Sequence, residues 1–378
     1  MTGWLDALES LAATRAKAGL TRRLRPRAAG DPVVDLAGND YLGLAVHPAV
    51  TAAAASALSA YGLGATGSRL VRGSTDEHTA LESALAEWLG TAGALVYSSG
   101  YLANLGAVRA LTEPGTVLIS DAYNHASLID GCKLSGAETV VAPHASPPAV
   151  AELLDSFAGR PAVVVTESVF SVDGDLAPLA ALHEVTSARG ALLVVDDAHA
   201  MGLLGARGSG GVAAAGLAGA PDVVVTATLS KSLGGAGGVI AGPAPLMRHL
   251  VETGRTFIYD TAPPPAVIAG AHAALEIAQA ADDRRALLRA RAAQTVARLG
   301  AAGFVVPMPA GAVLSVPAPG PEAALTWASD CRDRGVAVGC FRPPSTPDGS
   351  SRLRLTLNAG VAEEDFARAL DVIVECAP

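Results

Sequence analysis

His125, Ser171, Asp196, His199 and Lys231 are the side chains of this 378-residue sequence whose types could together rearrange bonds at carbon. A lysine amine held out of water, or near other positive groups, loses its proton readily and forms Schiff bases with carbonyl compounds. An aspartate can pair with a pyridinium nitrogen, a histidine can stack on an aromatic ring, and a glycine-rich helix start can offer backbone N–H groups to phosphate. Asp196, His125 and Ser98-Ser99-Gly100-Tyr101 supply those three parts. The chemistry they suit is that of pyridoxal 5'-phosphate (PLP). Taken singly each residue is weak, since a histidine after a strand is more often structural and a loop lysine is usually solvated. Convergence on one rim would be the test.

The elements that must position these side chains follow from texture. Val117–Ser120, Thr139–Ala142, Ala162–Thr166, Ala191–Val195 and Asp222–Thr226 are short apolar runs without polar alternation, the pattern of parallel strands covered on both faces. Ala- and Leu-rich amphipathic stretches such as Ala177–Arg189 separate them, which predicts a doubly wound α/β lobe. In such sheets ligands bind beyond the carboxyl ends of the strands. His125 follows the first of these strands, Ser171 the third, Asp196 and His199 the fourth, and Thr228 and Lys231 the fifth. Ser74-Thr75-Asp76-Glu77 has capping-box spacing ahead of a helix reaching Leu89. One long helix is expected over Pro263–Leu299, followed by a smaller α+β lobe with strands near Ala312–Val316, Val336–Cys340 and Arg352–Leu357. Helices near Glu322–Arg334 and Glu363–Cys376 complete that lobe. The expected division is an N-terminal arm over 1–40, a large lobe over 41–265 and a small lobe over 266–378.

Composition narrows the classes. The net charge is −9, from 27 Lys+Arg against 36 Asp+Glu, and the single basic cluster, Arg22, Arg23, Arg25 and Arg27, is too short to suggest a nucleic-acid surface. Half the residues are hydrophobic, yet no apolar run approaches the ~18 residues of a membrane span. Met1–Ala18 mixes charges into an amphipathic pattern unlike a signal peptide. A soluble, cytoplasmic protein without nucleic-acid or membrane partners is the expectation. Cys132, Cys331, Cys340 and Cys376 are scattered, which favours reduced thiols over zinc or disulfides, and no metal site is expected. Gly62-Leu63-Gly64-Ala65-Thr66-Gly67 spells a dinucleotide fingerprint but follows a predicted helix, Thr51–Ala60, where a strand is required. Lys231-Ser232 resembles the end of a phosphate loop, but Gly234, Gly235, Gly237 and Gly238 follow the lysine instead of preceding it.

Ordered segments carry a resemblance. Asn39-Asp40-Tyr41-Leu42-Gly43-Leu44, Gly64–Val71, Ser98–Gly106, Asn124–Gly131, Val169–Gly174, Asp196-Asp197-Ala198-His199, Thr228-Leu229-Ser230-Lys231 and Arg352–Thr356 span nearly the whole chain. The sequence resembles the α-oxoamine synthases, PLP enzymes with the aspartate-aminotransferase fold (fold type I). The resemblance implies that Lys231 forms the Schiff base with PLP and acts as acid/base at the substrate α-carbon. Asp196 would pair with the pyridinium nitrogen, His199 would bond the phenolic oxygen, and His125 would stack on the ring with Ser171 nearby. Gly100, Tyr101 and Thr228 would hold the phosphate, and Thr261 would reach the phosphate of a partner subunit in a homodimer with shared sites. Arg354 would bind the amino-acid carboxylate, with Arg352 as the alternate, and Asn39 and Arg22 would also serve the substrates.

Within the family the sequence is most similar to members that condense L-alanine with a pimeloyl thioester carried on CoA or acyl carrier protein. That preference rests on chain length, on Phe341-Arg342-Pro343-Pro344 and on Arg22-Arg23. The alternatives are glycine C-acetyltransferase or another α-oxoamine synthase, and, outside enzymes, a PLP-fold binding protein that has lost catalysis. Asp197 stands where the family usually has Glu, and Asp260 where it usually has Ser or Thr.

Overall fold

The computed structural model describes residues 3–346 and 348–378. Eleven strands are present among them: β1 Val34–Leu36, β2 Gly93–Tyr97, β3 Val117–Asp121, β4 Glu138–Ala142, β5 Ala162–Glu167, β6 Leu192–Asp196, β7 Val223–Thr228, β8 Gly238–Gly242, β9 Val313–Ala318, β10 Val336–Phe341 and β11 Ser351–Thr356. The large sheet has the order β2-β8-β7-β6-β5-β3-β4, and all pairings from β7 through β4 are parallel. β8 runs antiparallel to both its neighbours. The five strands expected from apolar runs are β3 to β7, so the doubly wound α/β architecture holds. β2 and β8 were not foreseen: Gly93 and the glycines of Gly238–Gly242 interrupt the apolar signal.

Alternation along each strand divides the core in two. Leu193, Val195, Val223 and Val225 face one apolar cluster, while Val194 and Val224 face the other. Leu179 and Leu182 cover the first face from their helix, and Ala103, Ala107 and Leu128 cover the second. Burial on both faces is why these strands show no polar alternation.

Three expectations change. The helix before Leu89 starts one residue later than the capping-box spacing implied. Thr75 is the N-cap, and its N–H donates to His78 Nδ1 at 3.2 Å. Ser74 is instead taken by Arg69, whose Nε donates to Ser74 Oγ at 2.9 Å. The single long helix is two, Pro265–Ala280 and Asp282–Ala301, broken at Ala281. The first packs on the helices Pro48–Tyr61 and Asp76–Leu89 of the large lobe, and the second on the final helix Glu363–Glu375. Finally, β1 of the N-terminal arm pairs parallel to β10, so the small sheet reads β1-β10-β11-β9 and draws on both ends of the chain.

The Met1–Ala18 amphipathic stretch forms the helix Gly3–Lys17, with its first two residues outside the described ones. No described helix is long and apolar enough to cross a membrane.

Candidate active site

Strand ends bring the expected side chains together. Lys231 lies three residues beyond β7 and is partly buried. Burial pushes its pKa down, the Asp196 and Glu167 carboxylates oppose this, and the Arg354 guanidinium adds to the depression. The amine is therefore closer to its neutral, nucleophilic form than an ordinary lysine.

Asp196 ends β6 and is buried. Its Oδ2 accepts from Asn104 Nδ2 at 2.7 Å and its Oδ1 from the Ala198 N–H at 3.0 Å. Asn104 also donates to Ser127 Oγ at 2.8 Å, and its Oδ1 accepts from Thr226 Oγ1. Sequence reasoning gave Asn104 no role, although an asparagine in the apolar row Leu102–Val108 was the available signal. Glu167, at the end of β5, carries no signal in the sequence beyond being the first charged residue after an apolar run. Its Oε2 accepts from the Ser171 N–H at 3.1 Å, while the buried Oε1 has no partner among the described residues. Burial and the neighbouring Asp196 charge hold its carboxyl well above the usual range.

His125 is the N-cap of the helix Ala126–Ser135. Its Nδ1 accepts from the Ser127 N–H at 3.2 Å, and the ring remains open to solvent. His199 is buried, with Nδ1 2.6 Å from the Tyr41 hydroxyl. Burial depresses its pKa well below the ordinary value, and the charges of Lys231, Arg354 and His125 add to the effect.

The two arginines left open by sequence are distinguished here. Arg352 is saturated by carboxylates, with ion pairs to Asp173 and Asp348. Arg354, buried two residues away, meets only neutral acceptors: the Ser171 carbonyl at 2.6 Å and Asn39 Oδ1 at 3.1 Å from each terminal nitrogen. Its guanidinium lies 5.4 Å from the Phe341 ring centroid. A buried guanidinium without an anionic partner is built to receive one.

The cradle at Ser98–Tyr101 depends on missing side chains. A Cβ on Gly238 would stand 2.2 Å from the Ser99 carbonyl oxygen, and one on Gly100 would stand 3.0 Å from Thr228 Cβ. Glycine at both positions lets β8 and β7 close on the start of the helix Gly100–Ala110. The Ser99 side chain caps that helix by accepting from the Leu102 N–H at 3.1 Å. The first-turn N–H groups of Gly100 and Tyr101 lack intrahelical acceptors and can take an anion. Tyr101 OH donates to Asp130 Oδ2 at 2.5 Å. Buried Thr228 places its Oγ1 2.8 Å from Ser230 Oγ. The cradle, the partnerless Glu167 oxygen and the partly buried amine fit a phosphorylated pyridine aldehyde.

The other expected site residues lie outside this cluster. Thr261 is exposed, bridges to Ser68, and follows Asp260, whose carboxylate accepts from Ser98 Oγ. Arg22 is exposed and donates to Ser345 Oγ at 3.0 Å. It lines an open groove of about 1000 Å³ with Arg23, Arg25, Arg332 and Arg342. Arg342 donates to the carbonyls of Gly19 and Thr21, joining the early arginine segment to Phe341–Pro344. Asp197 points away from the cluster: it accepts from the Gly211 N–H at 2.9 and 3.0 Å, and burial lifts its pKa to about 6. Gly62–Gly67 follows the helix Pro48–Tyr61, where a dinucleotide fingerprint would follow a strand.

A family model for aminotransferase class I and II matches residues 31–373. The chain is 50% identical over 372 residues to an 8-amino-7-oxononanoate synthase of Mycolicibacterium gilvum (strain PYR-GCK), covering 98% of this chain and 96% of that protein. It is 49% identical over 372 residues to the 8-amino-7-oxononanoate synthase of Mycolicibacterium smegmatis, with the same coverage. Among solved structures, serine palmitoyltransferase from S. paucimobilis with a bound PLP–myriocin aldimine superposes with a TM-score of 0.91 at 31% identity, over 100% of this chain and 98% of that one. An 8-amino-7-oxononanoate synthase from Francisella tularensis matches with a TM-score of 0.78 at 27% identity, over 91% and 97% of the two chains.

Proposed function

The chain belongs to the aminotransferase class I and II family, and on that premise we propose that it condenses L-alanine with a pimeloyl thioester, releasing CO2 and the thiol. The product is 8-amino-7-oxononanoate, an intermediate of biotin biosynthesis. The enzyme is a PLP-dependent acyltransferase. The observation that carries the chemistry is the meeting of Lys231, Asp196, His199 and a carboxylate-free Arg354 at the strand ends. The substrate pair is supported by the full-length similarity to named synthases.

Bound PLP supplies an electron sink that stabilises negative charge at the amino acid's α-carbon. Lys231 would anchor it through its amine. Asp196 would face the ring nitrogen, His199 the hydroxyl and His125 the ring, with Ser171 beside them. Gly100, Tyr101 and Thr228 would hold the phosphate. The orientation of Asp196 is set by Asn104 and the Ala198 N–H. Arg354 binds the alanine carboxylate through the fork it now shares with Asn39. Lys231, with its depressed pKa, takes the α-proton as general base. Arg22 and its neighbours along the basic groove serve the acyl thioester, whose carrier is CoA or acyl carrier protein. Thr261 reaches the cofactor phosphate of a second copy in a homodimer.

Titration of the PLP-loaded protein's visible spectrum with L-alanine, glycine and L-serine tests the reading. Saturable change with alanine at the lowest concentration is expected. Preference for glycine would reassign the amino acid, and absence of any visible band after PLP addition would reject the cofactor. Lys231→Ala should fold and show no turnover.

A further inference from the structure

Tyr41 is fully buried, and its hydroxyl lies between two acceptors, His199 Nδ1 at 2.6 Å and Asn39 Oδ1 at 3.1 Å. Asn39 Oδ1 is shared with both terminal nitrogens of Arg354, and of the phenol's two contacts the one to His199 is the shorter, 2.6 Å against 3.1 Å to Asn39. The single phenolic proton is taken to lie on that shorter contact, toward His199. Burial pushes the Tyr41 pKa up to about 12, so that proton is present at every working pH.

We infer that Tyr41 is a positioning residue that fixes His199 as the Nε2–H tautomer, presenting a donor to the site, and that Asn39 ties this arrangement to the carboxylate-binding Arg354. A neutral imidazole that accepts at Nδ1 must carry its proton on Nε2. The ring is held neutral by burial first, and the positive charges of Lys231 and Arg354 act in the same direction. Without the phenol, nothing among the described contacts of His199 selects between its tautomers. The relevance of the donor to PLP rests on the assignment of His199 to the cofactor hydroxyl. The tautomer itself does not.

The experiment uses full-length protein, PLP-loaded and PLP-stripped, with ¹⁵N-labelled histidine, and assigns the His199 signals by difference against His199→Gln. In wild type, Nδ1 should appear unprotonated and Nε2 protonated in both forms. In Tyr41→Phe the stripped protein should show a mixture of tautomers. The loaded protein should shift the pH midpoint of its visible band and bind PLP about fivefold more weakly, the loss of one ordinary hydrogen bond. Asn39→Ala, which loosens Arg354 but keeps the phenol, should retain the wild-type tautomer. A protonated Nδ1 in wild type overturns the inference even if Tyr41→Phe does not fold. So does an unchanged tautomer in Tyr41→Phe, or a mixed one in Asn39→Ala. If the tautomer behaves as expected but His199 signals do not respond to PLP, the cofactor assignment fails and the role of Tyr41 stands.

Discussion

Arg352 and Arg354 show how neighbours decide what one residue type does. Both lie on the same face of β11, both are buried, and only the carboxylates around Arg352 separate them. Arg354→Lys removes the bidentate fork but keeps a charge. The expected result is a KM for alanine raised about 10- to 100-fold with stability nearly unchanged, read from steady-state kinetics. Arg352→Lys should do the reverse: a KM near wild type, and a loss of about 1–3 kcal/mol in urea unfolding from the broken pairs. Glu167 gives a third prediction. Because burial and the Asp196 charge push it toward its neutral form, Glu167→Gln removes little charge. Its PLP dissociation constant, measured by fluorescence, should stay within about threefold of wild type. A hundredfold loss would mean that Glu167 works as an ionised group.

Strands and helices place the cluster only because their ends fit together. The glycines after Lys231, in the wrong place for a phosphate loop, include a packing requirement at Gly238. Gly238→Ala would push a methyl into the Ser99 carbonyl from which the helix Gly100–Ala110 starts. Both a loss of several kcal/mol in stability and weakened PLP binding are expected. A second device lies beyond the ends of β3 and β4. His144 bridges Asp121 and Asp175 at 2.9 Å each and stacks on Tyr123 with ring centroids 4.1 Å apart. Burial opposes its charge, but the hydrogen bonds to the two carboxylates prevail and its pKa is raised above 6.5. A raised folded-state pKa contributes stability that is complete below the unfolded value and is lost as pH rises through the folded one. Urea midpoints measured at about pH 6 and about pH 9 should therefore differ more in wild type than in His144→Gln. An equal difference would show that His144 does not contribute to the pH dependence of stability.

For the whole molecule, the pertinent question is whether one chain makes a complete site. Thr261 is exposed on the chain, and the proposed role needs a second copy. Sedimentation should give twice the 37.7 kDa chain mass. Lys231→Ala and Thr261→Glu chains, each weak or inactive alone, should recover activity when unfolded and refolded together, because a mixed dimer contains one site free of both defects. No recovery would place Lys231 and Thr261 in one chain's site, or Thr261 outside it.

The sequence by itself determined the five central strands and the residues at their ends, because strands covered on both faces must be apolar throughout and the polar residues beyond them stand out. It also carried the order of motifs on which the resemblance to the α-oxoamine synthases rests. It could not reveal β2 and β8, whose glycines are chosen for close approach and give no apolar signal. Nor could it reveal that β1, some 300 residues away in sequence, joins the small sheet. Only tertiary structure decided between Arg352 and Arg354, gave Asn104, Glu167 and Tyr41 their places, and turned Asp197 toward Gly211. Each of these depends on which atoms lie within hydrogen-bonding reach across the fold, and that information is absent from local residue order.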